Sequence, residues 1–276
     1  MNDDFSVTVE VVPPAGPESS ALLAVLKDLA TGAAGMKFDA FSIATNPVAK
    51  PRLSALVLGE LIKKEIGKQV IVHCTTRDHN RLSMQSLLWG AKALGVDTVL
   101  AATGDTISPD ASDVTSHIKD VDVFELITMC STAGLETGAV FTPYPGEKAF
   151  TAEIDRLKKK HDAGAQFAVT QPVYTERTAE QVAEASSTVG IPMFLGILPL
   201  VTVRHAVFLR DRVAGIFVPE LVVKEMEKAG GSKEAEEAAG VSMARELLVK
   251  ARSLFRGACL MPPFNRFYLA ARILEP

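Results

Sequence analysis

The stretch of sequence that decides the fold is residues 69–103, QVIVHCTTRDHNRLSMQSLLWGAKALGVDTVLAAT. It opens with a short apolar run, continues with apolar residues at intervals of three and four, and closes with a second apolar run. This order predicts a strand, an amphipathic helix that ends near Gly95, and a second strand. Two strands joined through a helix in this way pair in parallel, so the stretch predicts a βαβ unit.

The same alternation runs along the whole chain. Short runs rich in Val, Ile and Phe predict eight strands, at residues 5–12, 38–44, 69–75, 98–103, 138–143, 167–173, 192–198 and 257–261. Amphipathic stretches predict helices at about 18–34, 51–66, 79–94, 122–134, 151–163, 176–189 and 203–213, with a last helix from near Asn265. Eight strands that alternate with helices predict a (β/α)8 TIM barrel, expected as a single domain over residues 1–276. No GxGxxG follows the first strand, which disfavours an open dinucleotide-binding sheet.

One segment is an addition to this alternation of strands and helices. Residues 219–241 contain the charged, glycine-bearing run KEMEKAGGSKEAEEAAG. We interpret this segment as one helical insertion, an extra helix with a mobile connection before a long helix at 242–255. In two other helices, Pro51 is expected in a first turn and Trp89 in the buried stripe.

Composition excludes several classes of function. The formal net charge is −4 and no basic run occurs, so we expect no nucleic-acid partner. No apolar stretch reaches the ~20 residues that span a bilayer, so we expect no membrane association. The three cysteines are scattered, odd in number and without metal-ligand spacing, and Cys130 and Cys259 are expected as small core residues. With an acidic N-terminus unlike a signal peptide, this predicts a cytoplasmic protein.

Polar residues follow the predicted strands, and in such barrels the chemistry lies at the C-terminal strand ends. Glu10 is the clearest case, because VTVEVV is otherwise apolar and Pro13 and Pro14 end the run. Both faces of a parallel barrel strand are covered, so this carboxyl must point into a polar site or meet a partner. Desolvation should raise its pKa and make it a general acid near neutral pH.

Each of the other strand-end residues also has a plainer interpretation. His73 in an apolar strand is expected as a hydrogen-bonded core histidine rather than a metal ligand, and no metal set is evident. Asp105 after Gly104 is also a typical loop cap. Lys159 and Lys160 would ordinarily form a solvated helix face. The convergence of these residues on one rim, without a Ser or Cys nucleophile elbow, favours proton-coupled chemistry on a bound organic cofactor.

Seven stretches, in order, carry a resemblance that covers essentially the whole chain: VEVVPP, FSIATNP, HCTTRDHNRLSMQSLLWGAKALG, TGD, LKKKHDAGAQFAVTQP, GILPL and MPPFNR. They resemble the methylenetetrahydrofolate reductase family, and most closely the type also found fused to homocysteine methyltransferase domains. The resemblance implies a (β/α)8 barrel with a flavin, FAD or alternatively FMN, at its C-terminal mouth. It also implies ping-pong reduction of 5,10-methylenetetrahydrofolate to 5-methyltetrahydrofolate, with NADH or NADPH as electron donor.

The resemblance also implies roles for individual residues. Glu10 would protonate the folate and open its imidazolidine ring, and Asp105 would act beside flavin and pterin. The implied substrate contacts are Gln171, His205 and Arg266. The implied flavin contacts are Ala44, Thr45, His73, Gly104, Asp105, Tyr144, Glu153, Lys159 and Lys160. The chain departs from the family pattern at Thr103, where an arginine is usual, at Ala44, and in TPYPGEK, where either Thr142 or Tyr144 takes the place of a tyrosine.

Two other functions stay open at this point. One is a pterin-binding one-carbon methyltransferase, or its accessory subunit, without redox chemistry. The other is a reductase subunit that accepts electrons from a partner protein in place of a free nicotinamide. In each case the small-molecule partner is a folate, and we expect a homo-oligomer.

Overall fold

The computed structural model describes residues 5–31, 37–107 and 115–275. Within these ranges eight parallel strands close into a barrel in sequence order, β1 to β8, with β8 paired to β1. The strands are β1 Ser6–Val11, β2 Ala40–Ile43, β3 Gln69–Thr75, β4 Thr98–Ala102, β5 Glu136–Phe141, β6 Phe167–Thr170, β7 Met193–Ile197 and β8 Gly257–Leu260. The prediction of a (β/α)8 barrel is confirmed.

The described ranges also contain ten α-helices, which surround the strands. They are α1 Ser20–Thr31, α2 Ala55–Ile66, α3 Arg81–Ala93, α4 Val123–Thr132, α5 Glu147–Asp162, α6 Glu176–Val189, α7 Val203–Arg212, α8 Glu220–Lys228, α9 Lys233–Leu254 and α10 Phe267–Leu274. The predicted end of the first helix, residues 32–34, lies outside the described residues. In the described part of the chain, no helix has the length and apolar character needed to cross a bilayer.

Strand alternation decides which side chains face the barrel interior. Val7, Val9 and Val11 of β1 belong to the cluster that the strands form with the surrounding helices. A separate cluster fills the interior, with residues Ile71, Leu100, Phe167, Val169, Phe194 and Cys259. Because successive side chains of a strand point to opposite faces, Thr8 and Glu10 lie on the interior side of β1.

The helical insertion is present, but its second part differs from the prediction. The prediction of a mobile connection before a helix at 242–255 is wrong, because α9 runs without interruption from Lys233 to Leu254. Gly240 does not break the helix. It lets the helix approach the backbone of Leu200, since a Cβ at this position would lie 1.8 Å from the Leu200 carbonyl oxygen. The glycine marks a close packing contact rather than a linker.

Two smaller predictions are also wrong. Pro51 lies outside α2, which begins at Ala55. Trp89 is 64% exposed and not part of the core. The buried residues of α3 are Met84, Leu88 and Ala91, and Trp89 follows Leu88 by about 100° around the helix axis, which turns it toward solvent. By contrast, Cys130 and Cys259 are buried as predicted.

Candidate active site

A cleft of about 1080 Å³ opens at the C-terminal ends of the strands. Its floor comes from the ends of β4, β5 and β6, one wall from the segment after β2, and the other walls from α5 and α7. The polar and charged lining residues are Lys50, Thr103, Asp105, Thr106, Thr142, Tyr144, Glu153, Arg156, Lys160, Gln171 and Arg212. This volume is at the upper end of the range for small-molecule and cofactor sites.

Glu10 lies one residue before the end of β1 and is partly buried on the interior side of the barrel. It pairs in register with Ser42 of β2. Burial, and then the negative charge of Asp105, raise the pKa of Glu10 from 4.5 to about 7. Glu10 does not itself line the cleft, but Asp105 does. The structure therefore provides a carboxyl group with a raised pKa that senses the charge of Asp105, a residue of the cleft lining.

His73 occupies the interior side of β3. Its Nε2 lies 2.8 Å from the Ser42 hydroxyl oxygen, and burial lowers its pKa from 6.5 to about 4. The ring is therefore neutral at physiological pH, and its interpretation as a hydrogen-bonded core histidine is confirmed. Thr45 donates its hydroxyl to the His73 carbonyl oxygen, and Ala44 donates its amide to Val11. None of these three predicted flavin contacts lines the cleft.

The turn after β4 brings Gly104 and Asp105 to the cleft. Gly104 has a φ of 84°, and a Cβ there would lie 3.0 Å from the Cβ of Arg77, so the turn packs directly on that side chain. The Asp105 carboxylate accepts a hydrogen bond from the backbone N–H of Val48, at 2.5 Å. Asp105 thus joins the β4 turn to the segment that follows β2.

Lys160 and Glu153 form a buried ion pair on α5, with Nζ and Oε1 3.3 Å apart. The Lys160 ammonium also donates to the Val140 carbonyl oxygen, and Glu153 accepts from the Thr142 amide. Burial lowers the pKa of Lys160, and the charge of Glu153 opposes that effect. Lys159 is exposed but Lys160 is buried, so the interpretation of both lysines as one solvated helix face is wrong. Neighbouring residues of a helix point about 100° apart.

Gln171 and Tyr144 also line the cleft. Gln171 directly follows β6, and its backbone N–H donates to the Phe141 carbonyl oxygen of β5. The Tyr144 ring packs against Phe217, with centroids 5.5 Å apart. Thr142 lines the same cleft. Both candidates for the place of the family's tyrosine, Thr142 and Tyr144, are therefore cleft residues.

His205 and Arg266 form a separate group at the start of α7 and after β8. Neither lines the cleft. The His205 ring lies 5.7 Å from the ring of Phe264, and burial, with a smaller effect of Arg266, lowers the pKa of His205 to about 4. The Arg266 guanidinium lies 3.8 Å from Glu237 of α9. The structure thus brings two of the predicted substrate contacts together outside the cleft lining, whereas Gln171 lines the cleft.

Three arginines of this region were missed by sequence reasoning. Arg156 of α5 and Arg212 of α7 line the cleft, and Arg77 is completely buried beneath it. Arg156 and Arg212 lie among other charged residues of ordinary amphipathic helices, so no local signal distinguishes them. Arg77 did carry a signal, because it lies two residues after the end of an apolar strand, in TTRDHN. Within the described ranges, no cluster of three or more His, Cys, Asp or Glu side chains is arranged to hold a metal ion.

The sequence was compared with known families and proteins. The family model described as "Methylenetetrahydrofolate reductase" matches residues 1–256. A "Probable methylenetetrahydrofolate reductase (NADPH)" of Caenorhabditis elegans is 24% identical over 190 residues, which cover 66% of this chain and 28% of the nematode protein. The 5,10-methylenetetrahydrofolate reductase of Salmonella typhimurium is 22% identical over 220 residues, which cover 77% of this chain and 70% of that protein. The chain thus spans less than a third of the nematode relative.

Solved structures show the same fold. An uncharacterised protein from Clostridium thermocellum, whose structure is described as binding two copies of 5-methyl-5,6,7,8-tetrahydrofolic acid, superposes with a TM-score of 0.69 at 14% identity. The match covers 99% of this chain and 95% of that one. A 2,3-dimethylmalate lyase superposes with a TM-score of 0.54 at 16% identity, over 97% of this chain and 77% of the lyase. At these identities the likeness concerns the fold alone.

Proposed function

Because the chain belongs to the methylenetetrahydrofolate reductase family, we propose that it reduces 5,10-methylenetetrahydrofolate to 5-methyltetrahydrofolate. The observation that supports this proposal is the position of Glu10, a carboxyl with a raised pKa on the interior side of the barrel, close enough to sense Asp105 of the cleft lining. The 5-methyltetrahydrofolate named for the Clostridium thermocellum protein is the product expected of this reaction.

Glu10 acts as the general acid in this proposal. Opening of the imidazolidine ring requires a proton on the departing ring nitrogen, and the iminium that forms accepts hydride. A carboxyl group whose pKa is about 7 retains its proton in a large fraction of molecules at neutral pH, and it remains acidic enough to give that proton up. The negative charge of Asp105 favours the protonated form, so Asp105 supports the acid without giving up a proton itself.

The cleft has donors that fit a dinucleotide cofactor such as FAD. Arg156 and Arg212 line it, and guanidinium groups suit a diphosphate, which FAD has and FMN lacks. Ala101, Ala102 and Gly104 contribute small residues to the lining, where a flat ring can approach the strand ends. A bound flavin would supply the hydride chemistry between a reduced nicotinamide and the folate. Lys160 also lines the cleft, with its ammonium bonded to Glu153 and to a strand carbonyl oxygen.

The test is the substitution Glu10→Gln, with Glu65→Gln on the exposed face of α2 as the matched control. We expect Glu10→Gln to lower the rate of folate reduction by about 10²–10⁴-fold, because an amide cannot donate the required proton. Binding of 5-methyltetrahydrofolate, followed by calorimetry, should change less than about threefold in both variants. Reduction by Glu10→Gln at the wild-type rate would refute the role of the acid.

The same binding and reduction assays, applied to the wild-type protein, separate the reductase from the other two functions. Wild-type protein that binds the folate but reduces none of it, with FAD and either NADH or NADPH present, would favour a pterin-binding module or a partner protein as electron donor. Restored reduction on addition of an electron-transfer protein would identify the second of these. The cytoplasmic location and the homo-oligomeric state stay predictions.

A further inference from the structure

Arg77 is a buried cation whose hydrogen bonds reach two other loops. Its Nε and Nη2 donate to both carboxylate oxygens of Asp78, at 2.6 and 2.7 Å. Nη2 also donates to the Asn46 carbonyl oxygen at 3.0 Å, and Nη1 donates to the Asp105 carbonyl oxygen at 3.2 Å. The guanidinium therefore joins the turn after β3 to the segment after β2 and the turn after β4. Only the planar fork of arginine can make these bonds from one position.

The segment after β2 needs such support because its backbone is strained. Asn46, Val48 and Ala49 have φ angles of 43°, 52° and 56°, which is the left-handed region. A β-branched residue such as Val48 rarely adopts this conformation, and the surrounding structure must impose it. Among the contacts that hold it are the Arg77 bond to Asn46 and the Asp105 bond to the Val48 amide.

The strained segment and the β4 turn are adjacent parts of the cleft lining. Val48, Ala49 and Lys50 line the cleft, and so do residues 103–107. The side chain of Asn46 makes two more hydrogen bonds. It donates one to the Asp78 carboxylate and accepts one from the Arg52 backbone amide. Within the described residues, the hydrogen bonds that link these two parts run through groups that Arg77 holds directly, or through the Asp105 carboxylate.

We propose that Arg77 is a positioning residue of the cleft: it holds the strained segment 46–49 against the turn at Asp105, and together they form the wall on which ligand binding depends. The part of this proposal that concerns folate rests on the proposed function. Arg77 is buried beneath the wall, so it acts through the backbone of Asn46 and Asp105 and does not contact the ligand.

The first experiment measures the wall without any ligand. Amide hydrogen exchange followed by mass spectrometry reports on the peptide at residues 45–53, whose Val48 amide is bonded to Asp105. We expect Arg77→Lys to exchange at least about tenfold faster there than wild type, because lysine keeps the charge but loses the fork. The control is Arg81→Lys, an exposed arginine that is paired with Glu125 and should leave exchange unchanged. Exchange at the wild-type rate in a folded Arg77→Lys variant would overturn the proposal.

The second experiment measures ligand binding and does not depend on whether Arg77→Lys folds. Val48→Pro removes the backbone N–H that donates a hydrogen bond to the Asp105 carboxylate. Proline also cannot adopt the φ of 52° found at this position. Val48 is half exposed, so the substitution spares the core. We expect the KM for methylenetetrahydrofolate to rise about tenfold in Val48→Pro and in folded Arg77→Lys, with a smaller change in kcat because Glu10 is untouched.

Wild-type KM values in a folded Val48→Pro variant would overturn the role of the wall in binding. A wild-type protein that neither binds nor reduces the folate would refute the proposed function. In that case the exchange rates at residues 45–53 would still support or overturn the structural role of Arg77.

Discussion

Glu153 is buried and Glu10 is partly buried in this barrel, and their charges are neutralised in different ways. Glu153 has the Lys160 ammonium 3.3 Å away, so a cation balances its charge. Glu10 forms no ion pair among the described residues, and the charge it senses from Asp105 is negative. A proton is then the least costly way to neutralise it, since an isolated carboxylate is expensive to bury. The same side chain is structural at one position and suited to acid chemistry at the other.

The raised pKa of Glu10 predicts a pH-dependent cost in stability. A carboxyl whose pKa is 4.5 in the unfolded chain and about 7 in the folded protein favours folding below pH 4.5. This advantage is lost as the pH rises toward 7, where the folded state must ionise. The charge that acts on Glu10 is that of Asp105, which raises the pKa of Glu10 further and so does not offset this loss. Glu10→Gln should therefore be more stable than wild type at pH 8 by on the order of 3 kcal/mol, and by much less at pH 5.

Urea unfolding of both proteins from pH 5 to pH 8.5 measures this difference. Glu65→Gln is the control, because it makes the same change of side chain at an exposed position. A stability difference for Glu10→Gln that stays constant over this range would show that Glu10 ionises normally in the folded state.

At the scale of elements, α9 shows how one glycine can be misjudged from sequence. Glycine inside a helical pattern usually weakens the helix, by about 1 kcal/mol relative to alanine. Gly240 instead sits where the helix meets the Leu200 backbone, at a distance that excludes any side chain. This contact joins α9 to the connection between β7 and α7, and that connection leads to the helix that lines the cleft.

Gly240→Ala should destabilise the protein, although alanine is the better helix former. Its Cβ would lie 1.8 Å from the Leu200 carbonyl oxygen, so α9 would have to shift, at a cost of roughly 2–3 kcal/mol. Gly90→Ala in α3 is the matched control, because its Cβ would meet only a Leu56 side-chain atom at 3.7 Å. We expect that variant to gain about 0.5–1 kcal/mol. Urea unfolding checks both signs, and a stabilised Gly240→Ala would contradict the packing described here.

Elements were predictable from sequence wherever their signals were local. The helix at 176–189 was predicted with the bounds of α6, because Thr175 supplies an N-cap and Gly190 a left-handed end. α5 begins at Glu147 rather than at 151, after a Gly146 that makes no side-chain cap. Trp89 was misplaced because the apolar pattern of α3 does not show which of two adjacent residues, Leu88 or Trp89, is turned inward. Tertiary packing decides such cases.

At the scale of the whole molecule, the closed barrel explains which site residues were predictable. Strand order brings the strand ends to one rim, so Gly104, Asp105 and Gln171 could be placed at a common cleft from sequence position alone. Arg156 and Arg212 could not, because they reach the cleft from helices whose orientation depends on packing. His205 and Arg266 follow the same rim but group around Phe264, since the rim is wide enough for more than one cluster.

Closure of the barrel also predicts how the protein unfolds. Every strand pairs with two neighbours, so opening one pair exposes the interior as a whole. The three cysteines report on different parts of this structure, because Cys74 lies in β3, Cys130 in α4 and Cys259 in β8. All three thiols are free and buried, and burial raises the pKa of both Cys74 and Cys259 to about 12. They should therefore be inert toward a thiol reagent in the native state.

We expect labelling of all three cysteines in urea to follow one transition, coincident with the loss of circular dichroism. Cys130→Ala identifies the helical thiol by its absence from the labelled peptides. Labelling of Cys130 at lower urea than Cys74 and Cys259 would show that α4 detaches before the barrel opens. That outcome would place the weakest part of the molecule beside the cleft, because Val123 at the start of α4 belongs to the cleft lining. A single transition would instead mean that the cleft is as stable as the barrel that carries it.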